Sequence, residues 1–405
     1  MPTPSLLIVP ARFKSGKLYS QIPTSGAGDF TVTRATNATR VNASGLIESV
    51  ASGIPRLDYF ASGGTVGCPA LLVEPSGSNL VQRSEEFENT YWSKANGAVT
   101  QNQTTAPDGL TTADKYVVTS GAAANSPIIR SFTFAINTTY TLSLFVKKAD
   151  YNTASIRLST TETGLITNSF NLASGTATNN QIQDYGNGWY RVWVSFTTAA
   201  TVTNGQVQLI RDAEVRDGVA GIFIWGAQLE TGSVATSYIP TTTAAVTRNA
   251  DLIFTSGAVS GSIGQTQGTL YAEVDVKNLT NGTRIFAISD GTQANRIALL
   301  FNTTNRIRLL ATVTSATQAD INTATNQPAG IYKIAVAYAL NDYALYINGE
   351  QIGTDATALV PACSSVFLGT LETGSGLSSL NDRILDAALY TTRLSNAELA
   401  ALTSL

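Results

Sequence analysis

The 405-residue chain contains no histidine. That absence removes the commonest general base, the commonest metal ligand and every arrangement in which an imidazole activates a serine or a cysteine. Cysteine is nearly absent as well. Cys68 and Cys363 lie far apart in the chain, offer no zinc-type spacing, and are expected in different domains without a disulfide between them, each as a small buried hydrophobe. Charge is scarce: Asp, Glu, Lys and Arg make up 13% of the residues, against a usual figure of about 25%. A net charge of −3 leaves no basic face for nucleic acid, so no nucleic-acid partner is expected. No apolar run approaches membrane-spanning length, and no membrane insertion is expected. The segment Leu6-Leu7-Ile8-Val9, bounded by Pro4 and Pro10, is too short for a secretion signal. Asn-x-Ser/Thr triplets, as at Asn37 and Asn137, therefore read as chance products of Asn- and Thr-rich text.

Thr, Ser, Asn, Gly and Ala fill the space left by the missing charges. Threonine's β-branched side chain packs well on a pleated surface. The length is enough for two or three domains, each with its own core. The predicted class is all-β: tandem antiparallel sandwiches after an N-terminal attachment segment. Residues 1–78 are rich in Gly, Pro, Ser and Thr, with the strand-like pieces Phe30–Arg34 and Ala70–Glu74. They hold too few large apolar residues for a private core. The segment is expected to order only on a partner or within an oligomer, so its deletion is expected to leave soluble sandwiches.

Residues 79–245 read as one all-β unit. Strands recur between turn signals at Asp114–Val118, Tyr140–Lys147, Ser155–Ser159, Trp189–Thr197, Val207–Arg211 and Gly221–Leu229, and all four tryptophans (Trp92, Trp189, Trp193, Trp225) fall here. Such spacing predicts a sandwich. Residues 240–250 read as an extended linker, and Val246-Thr-Arg248 echoes Val32-Thr-Arg34. Residues 251–405 form a third unit. In Thr269–Val276, Leu270, Ala272, Val274 and Val276 share one face, and Tyr271, Glu273 and Asp275 the other. Asn348-Gly349 predicts a tight hairpin. Ser395-Asn-Ala-Glu398 is a capping box that opens the one predicted helix.

Two resemblances extend this reading. Tyr343-Ala-Leu-Tyr-Ile-Asn-Gly-Glu350, Phe367-Leu-Gly369 and Arg383–Leu399 resemble the concanavalin A-like, laminin-G-type sandwich domains. Asn79–Phe87 leading to Trp92, Gly186-Asn-Gly-Trp-Tyr-Arg191, Ile224–Glu230 and Ser237-Tyr-Ile-Pro-Thr241 resemble the carbohydrate-binding jelly rolls of tailed-bacteriophage particle proteins. Pro69–Pro75 resembles the lead-in of the same group. The resemblance implies a virion protein, in a head or tail fibre, that binds host-surface or environmental glycans. A homotrimer attached to other virion proteins through residues 1–78 is expected, with no enzymatic activity. The rivals are a purely structural decoration protein and a polysaccharide depolymerase.

The candidate ligand site lies on the strand Trp189–Phe196. Alternation puts Tyr190, Val192, Val194 and Phe196 toward a core and Trp189, Arg191, Trp193 and Ser195 on the opposite face. Two tryptophans at i and i+4 beside an arginine form a strip on which a sugar could stack, and Tyr185 could complete it. The competing reading packs the same tryptophans under a loop or a neighbouring subunit. Glu273-Val-Asp275 ends at Asn278 where a sandwich-fold glycanase needs a second carboxylate, so it reads as a solvated face. Glu85, Glu86, Gln228 and Glu230 supply oxygens of the kind calcium takes, calcium being the single cofactor considered, or else an acidic edge that blunts strand pairing. Ser15-Gly-Lys17 lacks the glycine and the hydroxyl residue of a phosphate loop.

Overall fold

The computed structural model describes residues 2–12, 16–60, 67–94, 96–122, 126–160, 165–201, 204–211, 213, 215–257, 259–277, 282–374 and 378–405. The chain is almost entirely β, with one α-helix at Asn396–Thr403 among the described residues. Its Ser395 cap forms the predicted reciprocal box with Glu398.

The middle unit is two six-stranded antiparallel sheets. Its pairings are nested. Ala113–Val118 pairs with Gly221–Thr231, Ile128–Thr133 with Asn204–Arg211, Thr139–Lys148 with Trp189–Thr197, and Thr153–Thr160 with Leu165–Asn171. First with last and second with next-to-last describes one long hairpin rolled into a jelly roll. The inward faces supply one core, in which Leu142, Leu144, Val146, Val192, Val194, Ile222 and Ile224 are buried. The register slips between Ser143 and Phe145 opposite Gly226. Gly226 takes φ 63°, and a Cβ there would meet the Phe145 ring at 3.0 Å and the Tyr238 ring at 3.2 Å. Only glycine fits this bulge, which lets the Tyr238 ring close on the sheet.

The C-terminal sandwich is not built from residues 251–405 alone. Its first sheet holds Gln267–Val276, Gly330–Ala339, Asp342–Ile347, Glu350–Asp355 and Asp382–Tyr390, and is extended by Ala70–Val73, Arg56–Asp58 and Leu6–Ile8. The second sheet takes Thr31–Thr33 from the N-terminal segment as an edge strand beside Leu252–Ser256. Leu6, Ile8, Leu18, Phe30, Leu71 and Val73 are buried in the same core as Leu270, Ala272, Val274 and Val276. The expectation of a separate attachment segment at 1–78 is thus corrected. The segment is indeed too apolar-poor for a private core, but the partner surface it needs is the far end of its own chain.

The linker expectation is corrected in the same way. Val246–Arg248 pairs with Gly77–Asn79, and Arg248 and Asp251 are both about 1% exposed. Within residues 240–250, residues 242–247 form the one continuous exposed run. A protease site engineered at Thr242–Ala245 should therefore yield two fragments that co-elute from a sizing column in native buffer and separate only in denaturant. Separate native elution would contradict the shared sandwich. Cys363 is buried as expected, with its thiol pushed up to about 12 by burial, whereas Cys68 is exposed and unpaired, because it sits in the loop before Ala70 and not on a strand.

Candidate functional site

Where the N-terminal segment crosses both sandwiches, five charged side chains meet out of water. Arg34 pairs with Asp251 at 2.7 Å, Arg56 bridges Glu74 (2.6 Å) and Asp251, and Arg248 closes on Glu74. All five are at most 3% exposed. Glu74 also accepts from the Ser237 amide at 2.7 Å and hydroxyl at 2.6 Å, which ties in the jelly roll. Burial would raise the Glu74 pKa, but the guanidiniums of Arg248 and Arg56 and the Ser237 hydrogen bonds override it and hold the carboxyl well below its ordinary value.

Above this knot opens a cavity of about 570 Å³, a size that suits an organic ligand of several rings. Its wall draws on all three parts of the chain. The N-terminal segment gives Thr39, Arg40 and Asp58; the jelly-roll edge gives Asp184, Tyr185, Tyr190, Arg191 and Trp193; the strap after the last jelly-roll strand gives Thr236, Ser237 and Tyr238; the C-terminal sandwich gives Lys277 and Arg383. Tyr185, Tyr190 and Trp193 are half-buried, so each presents part of a ring. The Tyr185 ring lies 4.8 Å from that of Phe60 and 4.9 Å from that of Phe145. Lys277 and Arg383 flank Phe60 at 4.9 and 5.3 Å from its centroid.

The four residues singled out from sequence separate into two groups. Tyr185, Arg191 and Trp193 line this cavity. Trp189 does not. It is 1% exposed, packed with Ile47, Ala106, Phe145, Trp225 and Tyr238, and its indole N–H donates to the Thr105 carbonyl at 3.0 Å. The outward face of a jelly-roll sheet is normally wet. Here the N-terminal segment and the turn before Ala113 cover it, so the tryptophan packs under loops. Arg191 is 3% exposed. It donates to the Thr236 carbonyl at 2.6 Å and the Ser143 hydroxyl at 2.9 Å, and so fixes the strap that floors the cavity. Tyr190, read as core from alternation, packs partly against that core but also reaches the cavity, with its ring 3.5 Å from the position of a Cβ on Gly175.

The carboxylates considered for calcium are drawn into separate contacts. Glu85 accepts from the Tyr238 hydroxyl at 2.9 Å, Glu86 pairs with Arg83 at 2.7 Å, and the buried Glu230 accepts from Gln228 and from the Thr236 amide at 3.2 Å. Burial pushes the Glu230 carboxyl up, partly opposed by Arg191. Among the described residues no group of three or more His, Cys, Asp or Glu side chains could hold a metal ion. Glu273 and Asp275 are half-buried; Asn278 and Ser15 lie outside the described residues. No helix among the described residues is long and apolar enough to cross a membrane.

Residues 247–400 match the family model of the concanavalin A-like lectin/glucanases superfamily, as the resemblance implied, and the chain thus carries a concanavalin A-like domain. A search of curated proteins finds no match. Similar solved structures include the CBM40 module of the IT-sialidase of Ruminococcus gnavus, at 20% identity and TM-score 0.32, covering 36% of this chain and 88% of that one. Domain 4 of AbnA, an extracellular arabinanase of Geobacillus stearothermophilus in complex with arabinotriose, has 16% identity, TM-score 0.33 and coverage of 42% and 82%. A putative carbohydrate-binding protein from Bacteroides ovatus has 12% identity, TM-score 0.29 and coverage of 68% and 80%.

Proposed function

We propose that the chain is a glycan-binding adhesion protein and that the cavity between its two sandwiches takes the glycan. One observation carries the reading: three part-exposed aromatic rings, Tyr185, Tyr190 and Trp193, share a wall with hydrogen-bonding side chains in a recess of about 570 Å³. Aromatic faces take the C–H faces of sugar rings while fixed polar groups meet the hydroxyls. The reading is of a binder and not a hydrolase. Asp58 and Glu74 are each held by guanidinium groups, which leaves Asp184 as the one wall carboxylate without a salt bridge among the described residues, where glycoside cleavage requires a pair.

The finer reading is a subunit of a tailed-phage virion, as a homotrimer in which several weak sites act together. It rests on the resemblance of residues 79–241 to the jelly rolls of such particles, and antibody-labelled electron microscopy of a virion tests it.

Trp193→Ala should reduce binding to the best glycan on an array by about tenfold or more, as loss of a stacked aromatic contact does. The melting temperature should move by only a few degrees, because the ring is half-exposed. Retained binding by the folded variant would refute the assignment.

A further inference from the structure

We infer that the ligand of this cavity is a neutral glycan, not an acidic one; the inference rests on the glycan-binding reading above. Every cation on the wall is already engaged by the protein. Arg40 pairs with Glu48 at 2.7 Å, Lys277 with Asp275 at 3.3 Å and Arg383 with Asp58 at 2.6 Å. Arg191 makes no salt bridge among the described residues, but its two terminal nitrogens are held by the Thr236 carbonyl and the Ser143 hydroxyl, and at 3% exposure it offers almost no surface to a ligand. A uronate or other carboxylate-bearing sugar would have to displace the carboxylate partner of Arg40, Lys277 or Arg383 and leave it unpaired, or break the buried hydrogen bonds of Arg191.

The remaining wall charge is of the wrong sign for an acid. Among the described residues Asp184, beside Tyr185, makes no salt bridge, and its carboxylate accepts only the Gly186 amide at 2.7 Å. It would repel an anion and can accept a hydrogen bond from a sugar hydroxyl. Paired cations and carboxylates side by side offer donors and acceptors at fixed spacing, the pattern that vicinal hydroxyls complement, while the three aromatic rings favour sugar faces without regard to charge.

The test uses the full chain and an array printed with matched pairs, each acidic oligosaccharide beside its carboxyl-reduced neutral counterpart. The neutral member of the best pair should bind at least about tenfold more tightly. Its dissociation constant should change by less than about twofold between about 50 mM and about 0.5 M sodium chloride, because no net charge is exchanged. Glu48→Gln lies outside the cavity wall and releases Arg40. It should leave neutral binding unchanged and raise affinity for the acidic member. Preference for the acidic member, or binding that falls steeply with salt, would overturn the inference while leaving the glycan site standing. If no member of any pair binds, the glycan-binding reading fails and this inference fails with it.

Discussion

Trp189→Ala is expected to destabilise the jelly roll by about 3–5 kcal/mol, the range for truncating a large buried aromatic. The indole is 1% exposed, packs in one cluster with Ile47, Ala106, Phe145, Trp225 and Tyr238, and satisfies its N–H on the Thr105 carbonyl. Alanine leaves a cavity under the N-terminal segment and orphans that carbonyl. At roughly 2–4 °C per kcal/mol for a domain of this size, the melting temperature should fall by about 6–20 °C. Any loss of ligand binding in this variant should follow unfolding and should be absent in the fraction that stays folded. Calorimetry of Trp189→Ala beside Trp193→Ala separates the roles. An unchanged melting point in the first would mean that the outer face of the sheet is open after all.

Glu74→Gln should cost a similar amount, about 3–5 kcal/mol, for a different reason. A buried ion pair contributes modestly on balance, but removing one partner leaves the other charge without compensation. Here Arg56 would keep only Asp251, which it shares with Arg34, and Arg248 would lose the carboxylate it closes on. Because the network joins the N-terminal segment, the jelly-roll strap and the C-terminal sandwich, both sandwiches should lose stability together in one broadened transition. The pH dependence has a definite sign. The folded Glu74 carboxyl is held below its unfolded value of 4.5, so its contribution is full above that value and is lost as pH falls through the lower, folded one. Glu74→Gln should flatten that acid limb. A variant with the parent's melting curve at neutral pH and the parent's acid limb would contradict the network's role.

The two sandwiches were legible because their strands alternate and their turns carry glycine and asparagine. Leu270, Ala272, Val274 and Val276 point into the core as alternation requires. The echo between Val32-Thr-Arg34 and Val246-Thr-Arg248 was also visible, but not its meaning: each strand ends by delivering an arginine to the same buried network. Sequence alone could not place residues 1–78. Their short strands are too weak to specify partners locally, and the partners Asp382–Tyr390 and Leu252–Ser256 lie hundreds of residues away. The same long-range pairing explains the mixed outcome at the site. Alternation put Trp189 and Trp193 on one face, and they are on one face. Which of them stays exposed depends on Ile47 and Ala106, remote segments that cover one end of the strand only. Arg40, Lys277 and Arg383 carry no local signal of a site; they meet because the domains do.

The central claim is that glycan enters beside Trp193. The protein supplies its own reporter, since Trp92, Trp189 and Trp225 are each about 1% exposed and Trp193 alone is half-buried. Titrating the best-bound array oligosaccharide should shift and quench tryptophan emission in the parent protein, and the response should vanish in Trp193→Phe while the other three indoles still emit. A full response in Trp193→Phe, or tight binding in the parent with emission unchanged, would place the ligand elsewhere and contradict the account.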